Sequence, residues 1–218
     1  MLTITEENYL KGLFNLSINN LDEDGVGTNE LAVYLEIKPS SVNDMLKKLK
    51  SKGYIQYEKY GKVFLSDKGR SLATQVIRKH RLWETFLHDK LGFSWDEVHE
   101  VAEQLEHIHS EKLIEMLDSF LGFPKVDPHG DPIPDKNGVF AFIPKKRLCD
   151  VEIGQKCKMI SVKDNSTSFL HFVADLGLGV DKIIEVKSKQ EFDSSLEILI
   201  ENKLNRVSLK FAQNIFVE

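Results

Sequence analysis

The chain has 218 residues, 41% of them apolar, and a formal net charge of −5, which suits a soluble globular protein with room for two or three packed cores. No run approaches the roughly 20 apolar residues of a membrane span, and Met1-Leu-Thr-Ile-Thr-Glu-Glu has neither the basic nor the apolar region of a secretion signal, so a cytoplasmic location without a membrane partner is expected. Cys149 and Cys157 are the only thiols, and their spacing fits neither a zinc knuckle nor a redox pair, so both should be free.

Apolar residues at helical period from residue 6 to 19 (Tyr9, Leu10, Leu13, Phe14, Leu16) predict a first helix, ended by Asn19-Asn20 and the turn formers through Gly25. Thr28 caps a short helix through Leu35. Pro39 then sits in the first turn of another helix that runs to about Lys52 and stops at Gly53. Tyr54 to Glu58 and Lys62 to Leu65, joined through Lys59-Tyr60-Gly61, read as a hairpin, so residues 1–65 outline a winged helix-turn-helix. Ser66-Asp67 opens a long helix to about Leu91. Ser94-Trp-Asp-Glu97 is a capping box for the next helix, and Ser110 starts a third that Gly122-Phe-Pro124 closes. The proline- and glycine-rich stretch from Asp127 to Gly138 predicts a structured linker. Short β-like runs at 153–162, 182–186, 196–200 and 207–217 follow, with a helical insert near 168–176 and a hairpin turn at Asn202-Lys203. The fold class expected is mainly α with a small β domain. Its parts are a winged helix-turn-helix (1–65), a helical dimerisation and metal domain (66–140), and an SH3-like, FeoA-like β-barrel (148–218).

Charge is segregated along this plan. Residues 36–70 carry nine basic against four acidic side chains, while residues 94–136 carry eleven acidic against three basic. A basic front suits a polyanion and an acidic middle suits cations. Lysine runs are usually only solvated, but here the elements stand in docking order. Ser40, Ser41 and Asn43 open the expected recognition helix where small polar side chains meet base edges. Lys47, Lys48 and Lys50 follow for phosphate, and Lys59 and Lys62 flank the hairpin tip. Double-stranded operator DNA is the partner expected.

Two patches carry metal chemistry: His80-x-x-x-Glu84 and His99-x-x-x-Glu103-x-x-Glu106-His107. Residues three, four and seven apart share a helix face, so each patch stacks imidazole and carboxylate donors. One such residue alone is usually a solvated or core side chain. The set without thiolate suits manganese, iron or zinc. His88, His109, His129 and His171 lack such company. A di-metal hydrolase or oxidase could use similar ligands, but no phosphate loop or nucleophile elbow accompanies them, so a non-enzyme is expected. A winged-helix regulator of a small organic ligand is the other alternative.

Lys38-Pro-Ser-Ser-Val-Asn-Asp-Met-Leu-Lys-Lys-Leu, Arg78-Lys-His-Arg-Leu-Trp-Glu84, Val98-His-Glu-Val-Ala-Glu-Gln-Leu-Glu-His107 and His129-Gly-Asp-Pro-Ile-Pro134 together resemble the diphtheria-toxin-repressor family of metal-dependent repressors, which includes the manganese transport regulators. The resemblance spans essentially the whole chain. It implies a homodimeric repressor activated by Mn(II) or Fe(II), with Zn(II) able to bind in vitro. His80, Glu84 and His99 would form an ancillary site, joined by Asp164 or Asn165 from the third domain. Glu103, Glu106 and His107 would form a regulatory site completed from the first helix at Asn8. Asn8 replaces the methionine or aspartate of the best-known branches, and Lys11 stands where the two-domain manganese branch has glutamate. Glu103 in place of cysteine favours manganese over iron. Phe93, Leu113, Leu117 and Phe120 are the expected dimer surface.

Overall fold

The computed structural model describes residues 2–19, 25–57 and 61–218, and the chain divides into two compact units. One comprises residues 1–80, 105–110 and 134–139; the other comprises 81–104, 111–133 and 140–218. No helix among the described residues is long and apolar enough to cross a membrane.

The first unit begins with α1 (Ile4–Asn19). Its start is a capping box: Thr3 Oγ1 accepts from the Glu6 backbone N–H and Glu6 Oε2 accepts from that of Thr3, at 3.3 and 3.0 Å. Tyr9, Leu10, Leu13 and Phe14 form its buried stripe. Then come β1 (Val26–Gly27), α2 (Thr28–Tyr34), α3 (Pro39–Ser51), β2 (Ile55–Tyr57), β3 (Lys62–Leu65) and the first part of α4 (Asp67–Leu91).

Val42, Leu46 and Leu49 recur at helical spacing on α3 and are fully buried, each contributing about 1.5–3 kcal/mol. That burial orients the rest of the helix outward. The strands form an antiparallel sheet in the order β1-β3-β2, with Val63 facing both Val26 and Tyr57. The two-residue β1 carries no sequence period and was not expected. Residues 58–60, which include Lys59, lie outside the described residues.

In the second unit, the remainder of α4 is followed by α5 (Val98–Leu105, whose last residue belongs to the first unit) and α6 (Glu111–Phe120). Glu97 Oε2 accepts from the backbone N–H and hydroxyl of Ser94 at 2.9 and 2.6 Å, which is one half of the expected capping box; the Glu97 N–H goes to the Ser94 carbonyl instead, and α5 starts after this turn. The sheet elements are β4 (Lys146–Arg147), β5 (Lys156–Val162), α7 (Thr167–Asp175), β6 (Ile183–Lys189), β7 (Leu196–Ile200), β8 (Lys203–Val207), α8 (Leu209–Gln213) and β9 (Ile215–Val217). Met159, Ile184, Ile198 and Ile215 supply the sheet's buried face, and Leu170, Val173 and Phe211 of α7 and α8 join the same core.

Three expectations are corrected here. The expected SH3-like barrel does not close: the antiparallel sheet runs β4-β9-β5-β6-β7-β8, leaving β4 and β8 as edges. The β-like run 207–217 contains α8, because Ser208 Oγ accepts from the Phe211 backbone N–H at 3.1 Å and caps a helical turn. The β7–β8 hairpin turns at Glu201-Asn202, one residue earlier than expected, where both residues adopt left-handed backbone (φ 46° and 70°), as a tight two-residue hairpin turn requires.

Candidate metal centre and nucleic-acid interface

On α3, Ser40, Ser41, Asn43 and Lys47 are exposed. Lys47 Nζ pairs with Asp44 at 3.1 Å, a solvated contact that contributes little. Lys48 differs: its Nζ lies 3.1 Å from Glu6 Oε1, and Lys52 Nζ lies 2.6 Å from the same oxygen. Burial would raise the Glu6 carboxyl, but the bonds from Lys52, the Thr3 backbone and Lys48 outweigh it and hold its pKa at about 2. Lys50 covers the Tyr57 ring at 5.1 Å, and half-buried Lys62 donates to the Gly25 carbonyl at 3.4 Å. The outward face of α3 thus presents small polar groups, with lysines held around it.

The metal patches are divided between the two units. In the first, α5 stops at Leu105, so Glu106 and His107 leave the helix in a turn and do not extend the stripe of His99 and Glu103 as the spacing had suggested. Buried Glu106 Oε2 meets His80 Nδ1 at 2.5 Å and Lys11 Nζ at 2.7 Å, and Lys11 Nζ lies 3.3 Å from His80 Nδ1. Burial pushes the Glu106 carboxyl up, but the His80 hydrogen bond and the Lys11 charge hold it below the usual range. His107 Nδ1 bonds Glu7 Oε2 at 2.6 Å, and His109 Nδ1 lies 3.7 Å from Glu7 Oε1. Glu7 was not anticipated; it precedes half-buried Asn8.

In the second unit, Glu84, Asp127 and His129 are all buried, and a ligand atom of each lies within 4.8 Å of the others. His99 Nδ1 is 3.1 Å from Glu84 Oε1, and its Nε2 is 3.8 Å from exposed Glu103. His129 Nε2 donates to the Trp95 carbonyl at 2.8 Å, while its ring stacks on Trp95 at 5.3 Å. That bond fixes the tautomer and leaves Nδ1 as the free lone pair of the neutral ring. Nδ1 is buried without a hydrogen-bond partner, 3.7 Å from Glu84 Oε1. An orphaned imidazole nitrogen facing two carboxylates fits a divalent cation.

Electrostatics support the same fit. Burial and the neighbouring Glu84 and Asp131 charges push the Asp127 carboxyl far up, with Arg81 opposing. Burial alone would lower the His129 imidazole, yet Glu84 and Asp127 push it up to about 9. Two buried acids thus crowd one imidazole, with Arg81 Nε 3.5 Å from Asp127 Oδ2.

The loop that supplies it is built for close approach. Asp127 Oδ1 accepts from the backbone N–H groups of His129 and Asp131 at 2.9 and 3.0 Å. Gly130 adopts φ 83°, where a Cβ would fall 1.7 Å from the Ile160 carbonyl. In the sequence Asp127 and His129 read as parts of a turn-rich linker, and their only signal is the His129-to-Pro134 segment within the family resemblance. Asp164 Oδ1 accepts from the Ser166 N–H at 2.9 Å, at the start of α7, and Asn165 Oδ1 is buried without a hydrogen-bond partner.

Three family models match: "Iron dependent repressor, N-terminal DNA binding domain" over residues 1–63, "Iron dependent repressor, metal binding and dimerisation domain" over 66–135, and "FeoA domain" over 146–218. The iron-dependent repressor IdeR of Mycobacterium tuberculosis is 34% identical over 135 residues, which is 61% of this chain but only 56% of that protein's length. A solved manganese-dependent transcriptional repressor in complex with manganese is 33% identical with a TM-score of 0.86, covering 97% of this chain and 98% of the other. The structure of ScaR with bound Zn2+ is 31% identical with a TM-score of 0.80, covering 98% of both chains.

Proposed function

Starting from the fact that the chain belongs to the iron-dependent-repressor family, the diphtheria-toxin-repressor family of the sequence resemblance, we propose that it is a cytoplasmic, non-enzymatic transcriptional repressor that binds operator DNA as a homodimer when loaded with Mn(II) or Fe(II). Zn(II) would also bind in vitro, as it does in ScaR. The observation that carries this reading is buried Glu84, Asp127 and His129 around an unpartnered imidazole nitrogen.

In this reading, residues 1–65 contact DNA, residues 66–140 dimerise and bind metal, and residues 148–218 modulate activity. Ser40, Ser41 and Asn43 read base edges in the major groove, and Lys47, Lys48, Lys59 and Lys62 meet phosphate. Glu84, His99, Asp127 and His129 hold one ion, with His80 one helical turn earlier on α4 and Asp164 as the further donors implied by the family. A divalent cation would supply concentrated positive charge and directional bonds to these donors. Asn8, Glu103, Glu106 and His107 are the regulatory set implied by the family, beside Glu7 and with the Lys11 ammonium already on Glu106. Manganese is favoured over iron because the donors are carboxylate and imidazole with no thiolate.

The dimer surface draws on exposed Leu113, Met116, Phe120 and Phe123 of the second unit. Leu117, expected there, is buried within the chain at 7% exposure. Two reading heads held at the spacing of successive major grooves bind together, and a coupling of about 1–3 kcal/mol between ion and DNA would change operator affinity about 5–150-fold.

Calorimetric titration of manganese into chelator-stripped protein tests the site. His129→Ala and Asp127→Asn should each weaken uptake about 10–100-fold. Wild-type protein that takes up no manganese, iron or zinc would rule the reading out.

A further inference from the structure

In the first unit the buried carboxylates Glu7 and Glu106 lie among two buried ammoniums, Lys11 and Lys79. Lys11 is the closer. Its Nζ, reached from α1, donates to Glu106 Oε2 at 2.7 Å, the same oxygen that accepts from His80 Nδ1–H at 2.5 Å. A carboxylate oxygen is a donor a divalent ion would use, and the lysine ammonium, a compact point charge, already satisfies it. The donors at this point therefore do not fit an added metal ion while the chain's own cation is in place.

We infer that Lys11 is a resident cation that substitutes for a metal ion at Glu106, beside His80, tying α1 down in the metal-free protein. The inference rests on the proposed function for the identity of the ion it replaces, but the tie itself is a property of the apo chain. It makes Lys11 a determinant of how many ions the protein loads. With lysine there, α1 is held without metal and the second half of the centre stays closed to it. With a carboxylate there, the same half would demand a cation, because Glu7, Glu106 and the new acid would crowd together.

The test compares wild type, Lys11→Met and Lys11→Glu after chelation and after addition of manganese. Bound ions are counted by native mass spectrometry and α1 is followed by amide hydrogen exchange. Wild-type α1 should exchange alike in chelator and in manganese. Lys11→Met should exchange about tenfold faster or more in chelator, the size of one charge-assisted hydrogen bond. Lys11→Glu should load one manganese more per chain than wild type, and its α1 should become firm only with the metal. Strong protection of wild-type α1 by manganese, or the same nonzero ion count in wild type and Lys11→Glu, would overturn the inference. If no form loads manganese, it is the proposed function that falls. The comparison of wild type with Lys11→Met in chelator then decides on Lys11 alone: faster exchange in the variant upholds the tie, and equal exchange overturns it.

Discussion

Glu6 and Glu7 are neighbours on α1 that engage different partners: Glu6 Oε1 is bonded by Lys48 of α3 and by Lys52 just after it, while Glu7 Oε2 is bonded by His107, just beyond α5. One turn later on the same helix, Lys11 reaches Glu106. Helix α1 therefore links α3 to the segment that carries two of the expected metal ligands, all within one compact unit. The link follows from side-chain geometry, since adjacent residues on a helix point about 100° apart.

Glu6→Gln should loosen α3 from α1. Lys48 and Lys52 are each more than a third exposed, so water recovers part of the loss and the cost should be about 1 kcal/mol in urea unfolding. A stability equal to wild type, with Lys48 and Lys52 still ordered, would show that the pair does not hold the two helices.

Asn43→Ala and Lys47→Ala should weaken DNA binding in different ways. Lys47→Ala should lower affinity evenly across sequences and reduce the salt slope by about one, as expected for one lost phosphate contact. Asn43→Ala should cost about 1–3 kcal/mol at one base position and relax the preference there. Binding profiles on a set of single-base variants separate the two, and identical profiles for both would contradict the assigned roles.

Gly130→Ala should be severely destabilising, by about 2–4 kcal/mol, because the added methyl meets the Ile160 carbonyl on a backbone already at φ 83°. The neighbouring His129 would move with it, so manganese uptake should fall as well. A variant with wild-type melting and wild-type metal affinity would show that this loop tolerates the displacement.

The thiols offer a pH-dependent check that needs no metal. Burial raises the Cys157 pKa, with Lys146 opposing, and burial followed by the Asp150 charge raises that of Cys149. The thiolate is the reactive form, so a raised pKa means less of it at a given pH, and alkylation should accelerate only at pH values above those of a free cysteine. Buried Cys157 should react last, and denaturant should equalise the two. Fast modification of Cys157 at neutral pH in the folded protein would contradict its packing.

Much of this was legible in the sequence because strong periodicity and explicit punctuation coincided. Pro39 and Gly53 bracket α3, the stripe of Val42, Leu46 and Leu49 orients it, and the box Ser94 to Glu97 marks the start of α5. What could not be read depended on side chains meeting across distant segments. Helical spacing placed Glu106 and His107 on the stripe of His99, but α5 ends one residue before Glu106 and frees both to turn towards α1 and α4. His129 looked solitary in a turn-rich stretch, and only folding brings it to Glu84, 45 positions earlier, with Trp95 fixing its tautomer. In the last third, alternating apolar residues signalled strands, but periodicity says nothing about whether a sheet closes, and Ser208 diverted part of one run into α8.

The central claim, that a divalent cation controls DNA affinity, is tested most directly by selecting a duplex from a random pool in manganese and then measuring its affinity for wild type and for His129→Ala, each in manganese and in chelator. The account predicts that wild type binds about 5–150-fold more tightly in manganese than in chelator and that His129→Ala loses most of that difference. Equal wild-type affinity in the two conditions would contradict it.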